Sequence, residues 1–409
     1  MPGILNQKHI RSYFQPIVCL KTGQIFAYEA LVRGIHPDYD TVISPSELFA
    51  AADAQNVSAE FDKICQQSAL EYFSSFRKNS HSLLFMNINT SLISPDDVST
   101  SSIQVMTRKM GFDPCYVGLE LIESRAASAD DLISFVEHYR ESGFLIVIDD
   151  FGCEHSNMER LIQIRPDIIK IDRSIIAGIE SDVYRQSILK SIHMLSEMTG
   201  SLCLAEGVET VEEVVTCYLY GVDLFQGYAI ARPDADLQLL ETETLRTIAR
   251  LRDRLKRESV ETLRQKRRLT GDINSLADWL VRQITPDNID AMEPVLQEFI
   301  VLNPEIECVY LLDKNGVQIS NTISSPFLKI KPRSYIFSPA QKGADNSFKS
   351  YFTCFEAFKI SRYLTDPYLS YASGNLCRTL SVKLCSAADC MVLCIDFIEE
   401  IIKTPVLKK

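Results

Sequence analysis

Across residues 12–235, short apolar runs alternate with longer segments whose apolar positions recur every three to four residues. The short runs lie at 13–18, 25–33, 83–89, 117–122, 144–149, 168–172, 202–206 and 224–230, and each predicts a strand. The segments 46–54, 59–76, 129–142, 184–199 and 211–219 between them predict amphipathic helices. Several runs are apolar on both parities, Phe144-Leu-Ile-Val-Ile148 for example. That pattern suits a parallel strand covered on both faces. Eight strands alternating with helices predict an α/β fold of the (β/α)8 barrel type. A doubly wound open sheet is the competing architecture, but no glycine-rich phosphate loop follows the first strand.

From residue 244 the pattern changes. Residues 244–269 carry ten lysines and arginines against Asp253, Glu258 and Glu261, and they lack glycine and proline. Leu245, Ile248, Leu251, Leu255 and Leu263 form a partial apolar stripe. This predicts a long connecting helix, punctuated at Thr270-Gly-Asp272 and followed by a second helix over 273–284. Further on, strands at 307–312 and 317–321 flank Asp313-Lys-Asn-Gly316, and strands at 376–384 and 391–397 flank Ser386-Ala-Ala-Asp389. Two antiparallel hairpins around a loop-rich middle predict a smaller α+β domain. The expected organisation is a barrel over 1–240, a helical linker over 241–290 and an α+β domain over 291–409.

Composition narrows the class. Of 409 residues, 46% are hydrophobic and 23% charged, which excludes wholesale disorder. A net charge of −12 argues against a general nucleic-acid binder and suits a site that gathers divalent cations. The basic stretch over 246–268 is accordingly read as a helix that transmits a signal or pairs with its twin in a homodimer. No run approaches the roughly 18 apolar residues that span a bilayer, and the first ten residues lack a signal-peptide core. A cytoplasmic protein without a membrane span is expected. The twelve cysteines lack disulfide-scaffold spacing. Reduced core thiols are expected throughout, including Cys377, Cys385, Cys390 and Cys394.

Polar residues recur where the predicted barrel strands end. Period-two counting puts Glu29, Leu31 and Arg33 on one face of their run. It also aligns Asn87 with Phe85, Asp149 with Val147, Lys170 with Ile168, Glu206 with Leu204 and Gln226 with Leu224. Glu120 sits late in the fourth run, and Asp150, of opposite parity, falls where the chain begins to turn. Active sites of such barrels lie at the C-terminal strand ends, so these side chains are expected to converge. Singly, each acid is more often a solvated or helix-capping residue, Asn87 a turn residue and Lys170 a surface ion pair. The recurrence of one polar group per strand, all at one end, outweighs those readings.

Five carboxylates, Glu29, Glu120, Asp149, Asp150 and Glu206, face Lys170 as the nearby base besides Arg33. Such crowding is unfavourable unless protons or cations neutralise it. Hard oxygen donors favour Mg2+ or Mn2+ over Zn2+, and the Asp149–Asp150 pair suits two ions about 3.5–4 Å apart. Metal-dependent phosphodiester hydrolysis follows more naturally than glycoside chemistry, which needs two carboxylates and no metal. His155 has no second histidine nearby and reads as a loop residue.

At these positions the sequence resembles the EAL-domain family, the cyclic-di-GMP phosphodiesterases of bacterial signalling. The triplet stands as Glu29-Ala30-Leu31, followed by Val32-Arg33. Around it, in the family's order, are Phe14-Gln-Pro-Ile17, Met86-Asn-Ile-Asn89, Leu119-Glu-Leu-Ile-Glu123, Ile148-Asp-Asp-Phe-Gly152, Ile169-Lys-Ile-Asp-Arg173, Ala205-Glu-Gly-Val-Glu-Thr210 and Phe225-Gln-Gly-Tyr228. The resemblance implies metal ligation by Glu29, Asn87, Glu120, Asp149, Asp150 and Glu206. It makes Lys170 the residue that orients the attacking water, with Glu206 acting at the same centre and Glu209 supporting it. Gln226 would lie beside the metal site, Arg33 would contact a phosphate, and Gln15, Arg232 and Pro233 would line the nucleotide pocket. The implied reaction is hydrolysis of cyclic-di-GMP to linear pGpG. After Asp-Asp-Phe-Gly the family usually continues Thr-Gly-Tyr-Ser-Ser, whereas Cys153-Glu-His-Ser-Asn157 stands here. That departure supports an alternative: a receptor that binds the dinucleotide with weak or no turnover. A barrel kept only as a docking scaffold is the third reading. The region beyond residue 291 resembles PAS/Cache-type sensors through Val309-Tyr-Leu-Leu-Asp-Lys-Asn-Gly316 and the Cys394-Ile-Asp396 strand. A small ligand or protein partner is expected there. Arg362, Tyr363, Tyr368 and Asp396 are its candidate pocket residues, with ordinary packing the favoured reading.

Overall fold

The first two strands, β1 (Ile10–Cys19) and β2 (Gln24–Ile35), pair as an antiparallel hairpin. The connection between them is far shorter than the dozen or more residues a parallel crossover needs. In this the barrel departs from a uniformly parallel one. The computed structural model describes all residues except 1–4, 6–8, 37–40, 78–81, 95–99, 101, 123–127, 154–157, 285–291, 328–335, 386–389 and 399–409. It divides into two units, Met1–Ser259 and Val260–Lys409.

In the first unit, β3 (Val42–Ile43) pairs antiparallel with the end of β2, and β4 (Leu83–Ile88), β5 (Val117–Leu121), β6 (Leu145–Phe151), β7 (Ile168–Ile171), β8 (Leu202–Ala205) and β9 (Leu224–Phe225) follow. From β2 through β4 to β9 every neighbour is parallel, and β9 returns to β1 antiparallel, which closes eight strands into a barrel. Around it lie α1 (Pro45–Ala54), α2 (Ser58–Arg77), α3 (Ser102–Lys109), α4 (Ala129–Glu141), α5 (Met158–Ile164), α6 (Arg173–Ile176), α7 (Val183–Thr199) and α8 (Val211–Leu219). Their starts are legible in side-chain chemistry: Ser44 with Glu47 on α1, and Thr210 with Glu213 on α8, form reciprocal capping boxes.

Alternation then fills the barrel. Ile17, Ala27, Phe85, Val147, Ile168, Leu204 and Leu224 form one buried cluster. The eighth strand contributes Gly118 at this level, because a Cβ there would lie 2.6 Å from the Phe85 ring. One large ring thus occupies the space of two side chains. The opposite strand parity, with Leu84, Leu119, Ile146, Ile148, Ile169, Cys203 and Phe225, packs outward against the helices.

Helix α9 (Leu237–Gln283) runs without the break expected at Thr270-Gly-Asp272. Its first turns bury Leu240, Ile248, Leu251 and Leu255 in the core of the first unit, whereas Leu245 and Leu263, expected on the same stripe, are exposed. In the second unit Ile273, Ala277 and Leu280 of α9 join α10 (Met292–Leu302) on one face of an antiparallel sheet. That sheet consists of β10 (Ile306–Asp313), β11 (Ile323–Ser324), β12 (Arg362–Leu364), β13 (Tyr368–Leu369), β14 (Leu376–Cys385) and β15 (Cys390–Ile398). Helix α11 (Ser350–Phe358) packs on the other face through Tyr351, Cys354 and Phe355. The strand expected at 317–321 is absent: Val317 and Gln318 make isolated bridges, and Ile323–Ser324 pairs with β10 instead. Cys385 and Cys390 face each other across the β14–β15 pair and form a disulfide, which corrects the expectation of free thiols for these two.

Candidate active site

One polar residue per strand stands directly above the apolar layer of the barrel. Gln15, Glu29, Asn87, Glu120, Asp149, Lys170, Glu206 and Gln226 are each two residues from Ile17, Ala27, Phe85, Gly118, Val147, Ile168, Leu204 and Leu224 respectively. Because β1 runs antiparallel, its polar residue precedes the apolar one, and the hairpin register sets Gln15 opposite Glu29. Parallel registers likewise set Glu29 beside Phe85, Asn87 beside Glu120, and Lys170 beside Leu204. Strand parity alone therefore gathers into one ring residues drawn from more than 200 positions of sequence.

At its centre, Lys170 is fully buried. Its Nζ lies 3.0 Å from Glu120 Oε1, 3.0 Å from Asp149 Oδ1, 3.5 Å from Glu29 Oε2 and 3.6 Å from Glu206 Oε1. Burial alone would deprotonate this amine, but the surrounding carboxylates, Asp149 and Glu120 foremost, hold it well above the ordinary lysine range. One ammonium cannot serve them all. Burial, reinforced by Glu29, pushes Glu120 well above the ordinary carboxyl range. Asp149 is also opposed by burial, yet contact with Lys170 keeps it ionised and lowers it. Glu206, half-buried beside Asp149, is raised by desolvation to about 8. The shifts share one cause: the ring carries more negative charge than one ammonium neutralises.

Amides fix the remaining orientation. Asn87 Nδ2 donates to Glu29 Oε1 at 2.9 Å and Gln226 Nε2 donates to Glu29 Oε2 at 2.6 Å. Gln15 Nε2 donates to the Ala231 carbonyl at 3.1 Å. Asp150 joins the centre by a backbone device: its φ of +53° is left-handed and rare for a side-chain-bearing residue, and it reorients a carboxylate of the wrong parity. Asp149, Asp150 and Glu206 each offer an oxygen within 4.8 Å of the others, a set that can hold a cation. Glu120 Oε2 is buried with no hydrogen-bond partner among the described residues, a further donor that a cation would satisfy.

Other expected residues lie farther out. Arg33 packs its guanidinium against the Tyr13 ring and donates to the Val32 carbonyl. Arg232 lies over Tyr228, its guanidinium carbon 4.2 Å from the ring centroid. Pro233 is half-buried on the same segment. Glu209 pairs with Arg173 at 2.8 Å, and Lys170 is not among its ion-pair partners. Glu123 and the stretch 154–157 with His155 lie outside the described residues. A cavity of about 580 Å3 opens from Glu29 and Asn87 past Leu31, Pro45 and Phe49 to Asp62. Its volume falls in the range of small-molecule sites.

The EAL-domain profile matches residues 3–233, which contain every member of this ring. The chain belongs to the EAL-domain family. Among relatives of the EAL chain, the cyclic di-GMP phosphodiesterase NbdA of Pseudomonas aeruginosa is 27% identical over 231 residues, 56% of this chain. The match spans only 29% of NbdA's own length. Among solved structures, the EAL-domain protein YkuI of Bacillus subtilis, in complex with c-di-GMP and calcium, is similar in fold over 96% of this chain and 97% of its own, with a TM-score of 0.69 at 23% identity. BlrP1 of Klebsiella pneumoniae, in a manganese and c-di-GMP complex, superposes over 57% of each chain with a TM-score of 0.51 at 29% identity. No helix among the described residues of the EAL chain is long and apolar enough to cross a membrane.

Two features of the site were not anticipated from sequence. Gly118 admits the Phe85 ring, a role signalled only by a glycine inside an otherwise apolar strand. Arg173 sits in the Lys-Ile-Asp-Arg motif, where its single positive charge carried no sign of what it would touch.

Proposed function

We propose that the barrel hydrolyses one phosphodiester bond of cyclic-di-GMP to give linear pGpG. The observation that carries this reading is the set of four carboxylates around one buried lysine, with Asp150 beside Asp149 and Glu206, open through Glu29 and Asn87 to a cavity large enough for a dinucleotide. Glu29, Asn87, Glu120, Asp149, Asp150 and Glu206 would hold two divalent cations, Mg2+ or Mn2+. The donor set fits: it is all oxygen, anionic and short of positive charge. Bound there, such cations make water nucleophilic near neutral pH and stabilise charge on phosphoryl oxygens.

The residues of the chain do the rest. Lys170, fixed as a cation, orients the attacking water with its Nζ. Glu206, ionised once the cations are bound, would take the proton that this water gives up. Water oxygen bonds to phosphorus, one ester P–O bond breaks, and the proton held by Glu206 would pass to the leaving oxygen, so that a phosphomonoester and a hydroxyl remain. Arg33 meets a substrate phosphate after leaving Tyr13, while Gln15, Glu209, Gln226, Arg232 and Pro233 border the nucleotide. On the same reading the protein is a cytoplasmic homodimer, and its PAS/Cache-like region over 291–409 takes a small ligand or protein partner that regulates the barrel.

Purified protein incubated with cyclic-di-GMP and Mn2+ or Mg2+ tests the reading by chromatography of the products. Formation of pGpG, abolished in a folded Glu29→Ala variant, is the expected result. Tight binding without product would make the chain a receptor, the reading that Cys153-Glu-His-Ser-Asn157 favours. Unchanged turnover in Glu29→Ala would overturn the site.

A further inference from the structure

We propose that Arg173 is a positioning residue that holds Glu206 in the carboxylate ring, and that Glu209 serves as its anchor. The inference rests on the phosphodiesterase reading and concerns a residue to which that reading gives no role. Arg173 opens α6, directly after Asp172, whose carboxylate caps the helix by accepting from Ser174 N at 2.8 Å. It therefore stands three residues beyond Lys170 on the neighbouring strand to Glu206.

Its guanidinium reaches across to the loop that follows Glu206. Nη1 donates to the Gly207 carbonyl, one residue beyond Glu206. Nη2 meets Glu209 Oε2 at 2.8 Å, and Nη1 lies 3.8 Å from Glu213 Oε2. The aliphatic stem covers Gly207 so closely that a Cβ there would lie 3.0–3.2 Å from Arg173 Cβ, Cγ and Cδ. Gly207 has a φ of +66°, so both its conformation and its crowded neighbour favour glycine.

Backbone contacts fix the remainder of this loop. Glu206 N donates to the Ile171 carbonyl and Val208 N to the Gln226 carbonyl. Buried Glu213 accepts from Gly178 N, Glu209 N and Thr210 N. Within this set Arg173 is the side chain that grips the residue next to Glu206, and it projects from the element that continues the Lys170 strand. It fixes the separation of the segments that follow Lys170 and Glu206. A planar fork can hold a carbonyl and a carboxylate together, which a lysine ammonium does with less geometric control. Displacements of about an ångström at a reacting centre cost on the order of 100-fold in rate.

The test compares wild type, Arg173→Ala, Arg173→Lys, Glu209→Gln and the Arg173→Ala, Glu209→Gln double variant. Cyclic-di-GMP hydrolysis is followed with Mn2+, and Mn2+ affinity is measured separately, without substrate, from the free-Mn2+ EPR signal. Arg173→Ala is expected to lower kcat by about 10- to 100-fold with KM changed less than about threefold, and to weaken Mn2+ binding. Arg173→Lys should recover part of both, and Glu209→Gln should cost less and add little to Arg173→Ala. A folded Arg173→Ala protein with wild-type kcat and Mn2+ affinity overturns the proposal, as does a rise in KM alone, which would mean direct substrate contact. Should wild type prove inactive on cyclic-di-GMP, the substrate assignment fails, and the Mn2+ titrations still decide whether Arg173 shapes the site.

Discussion

Four carboxylates lie within 3.6 Å of Lys170 Nζ, a density of like charge that folding alone does not favour. A second buried acid, Asp396, shows what happens without a lysine. It accepts from Thr379 Oγ1 at 2.7 Å inside the second unit, and burial raises its pKa to about 8. The groups facing it are neutral hydroxyls and thiols of Thr379, Tyr310, Tyr368, Cys308, Cys377 and Cys394, with Glu307 the neighbouring acid. Ordinary packing, the favoured reading of Arg362, Tyr363, Tyr368 and Asp396, accounts for contacts here: Tyr368 Oη sits 2.5 Å from Thr379 Oγ1, and Arg362 pairs with Asp278. The native state keeps the Asp396 proton up to about pH 8, whereas the unfolded chain loses it near pH 4. Stability is therefore lost as pH rises between those values, by up to about 1.4 kcal/mol per pH unit. Asp396→Asn should abolish that loss, so its unfolding midpoint should gain on wild type from pH 5 to pH 8. Parallel midpoints across that range would show that the carboxyl is not protonated in the fold.

Elements differ in how much of themselves the local sequence specifies. Strand parity needed only counting, since side chains of a strand alternate whatever its partners are. Pairing partners were less accessible. The disulfide follows from Cys385 and Cys390 being register partners, a relation set by the hairpin and not by their spacing of five. Likewise Leu311 N is held by Ser320 Oγ and Gln318 bonds within its own loop, so 317–321 lacks a strand's ladder despite its alternation. In α9, Thr270-Gly-Asp272 looks like punctuation, but Ile273, Ala277 and Leu280 are buried just beyond it. That burial outweighs the ~1 kcal/mol that a helical glycine costs. Gly271 is exposed, with open space around its Cβ position. Gly271→Ala should stabilise the second unit by about 0.5–1 kcal/mol in urea unfolding. A destabilised variant would mean that the helix turns at this point.

For the EAL chain as a whole, the proposed metal site would tie stability to chemistry. On that proposal the barrel should be firmer once divalent cations bind. With Mn2+ or Mg2+ at about 100 times its dissociation constant, linkage adds roughly 2.7 kcal/mol, so the thermal transition of the first unit should rise by several degrees and fall back with EDTA. In Glu29→Ala the rise should shrink or vanish. A transition indifferent to divalent cations in wild type would remove the metal from the account. The sequence by itself determined the strand and helix periods, the capping boxes and the alternation that turns one polar residue per strand toward one end, because each depends on neighbours a few positions away. The antiparallel first strand was implicit in a connection too short to cross over. Only the tertiary structure decided that these acids meet around a single lysine, that Phe85 takes the place of a side chain at Gly118, that Asp150 swings in through a left-handed backbone and that Arg173 grips Gly207. Those relations join residues distant along the chain, and only closing the barrel brings them within contact range.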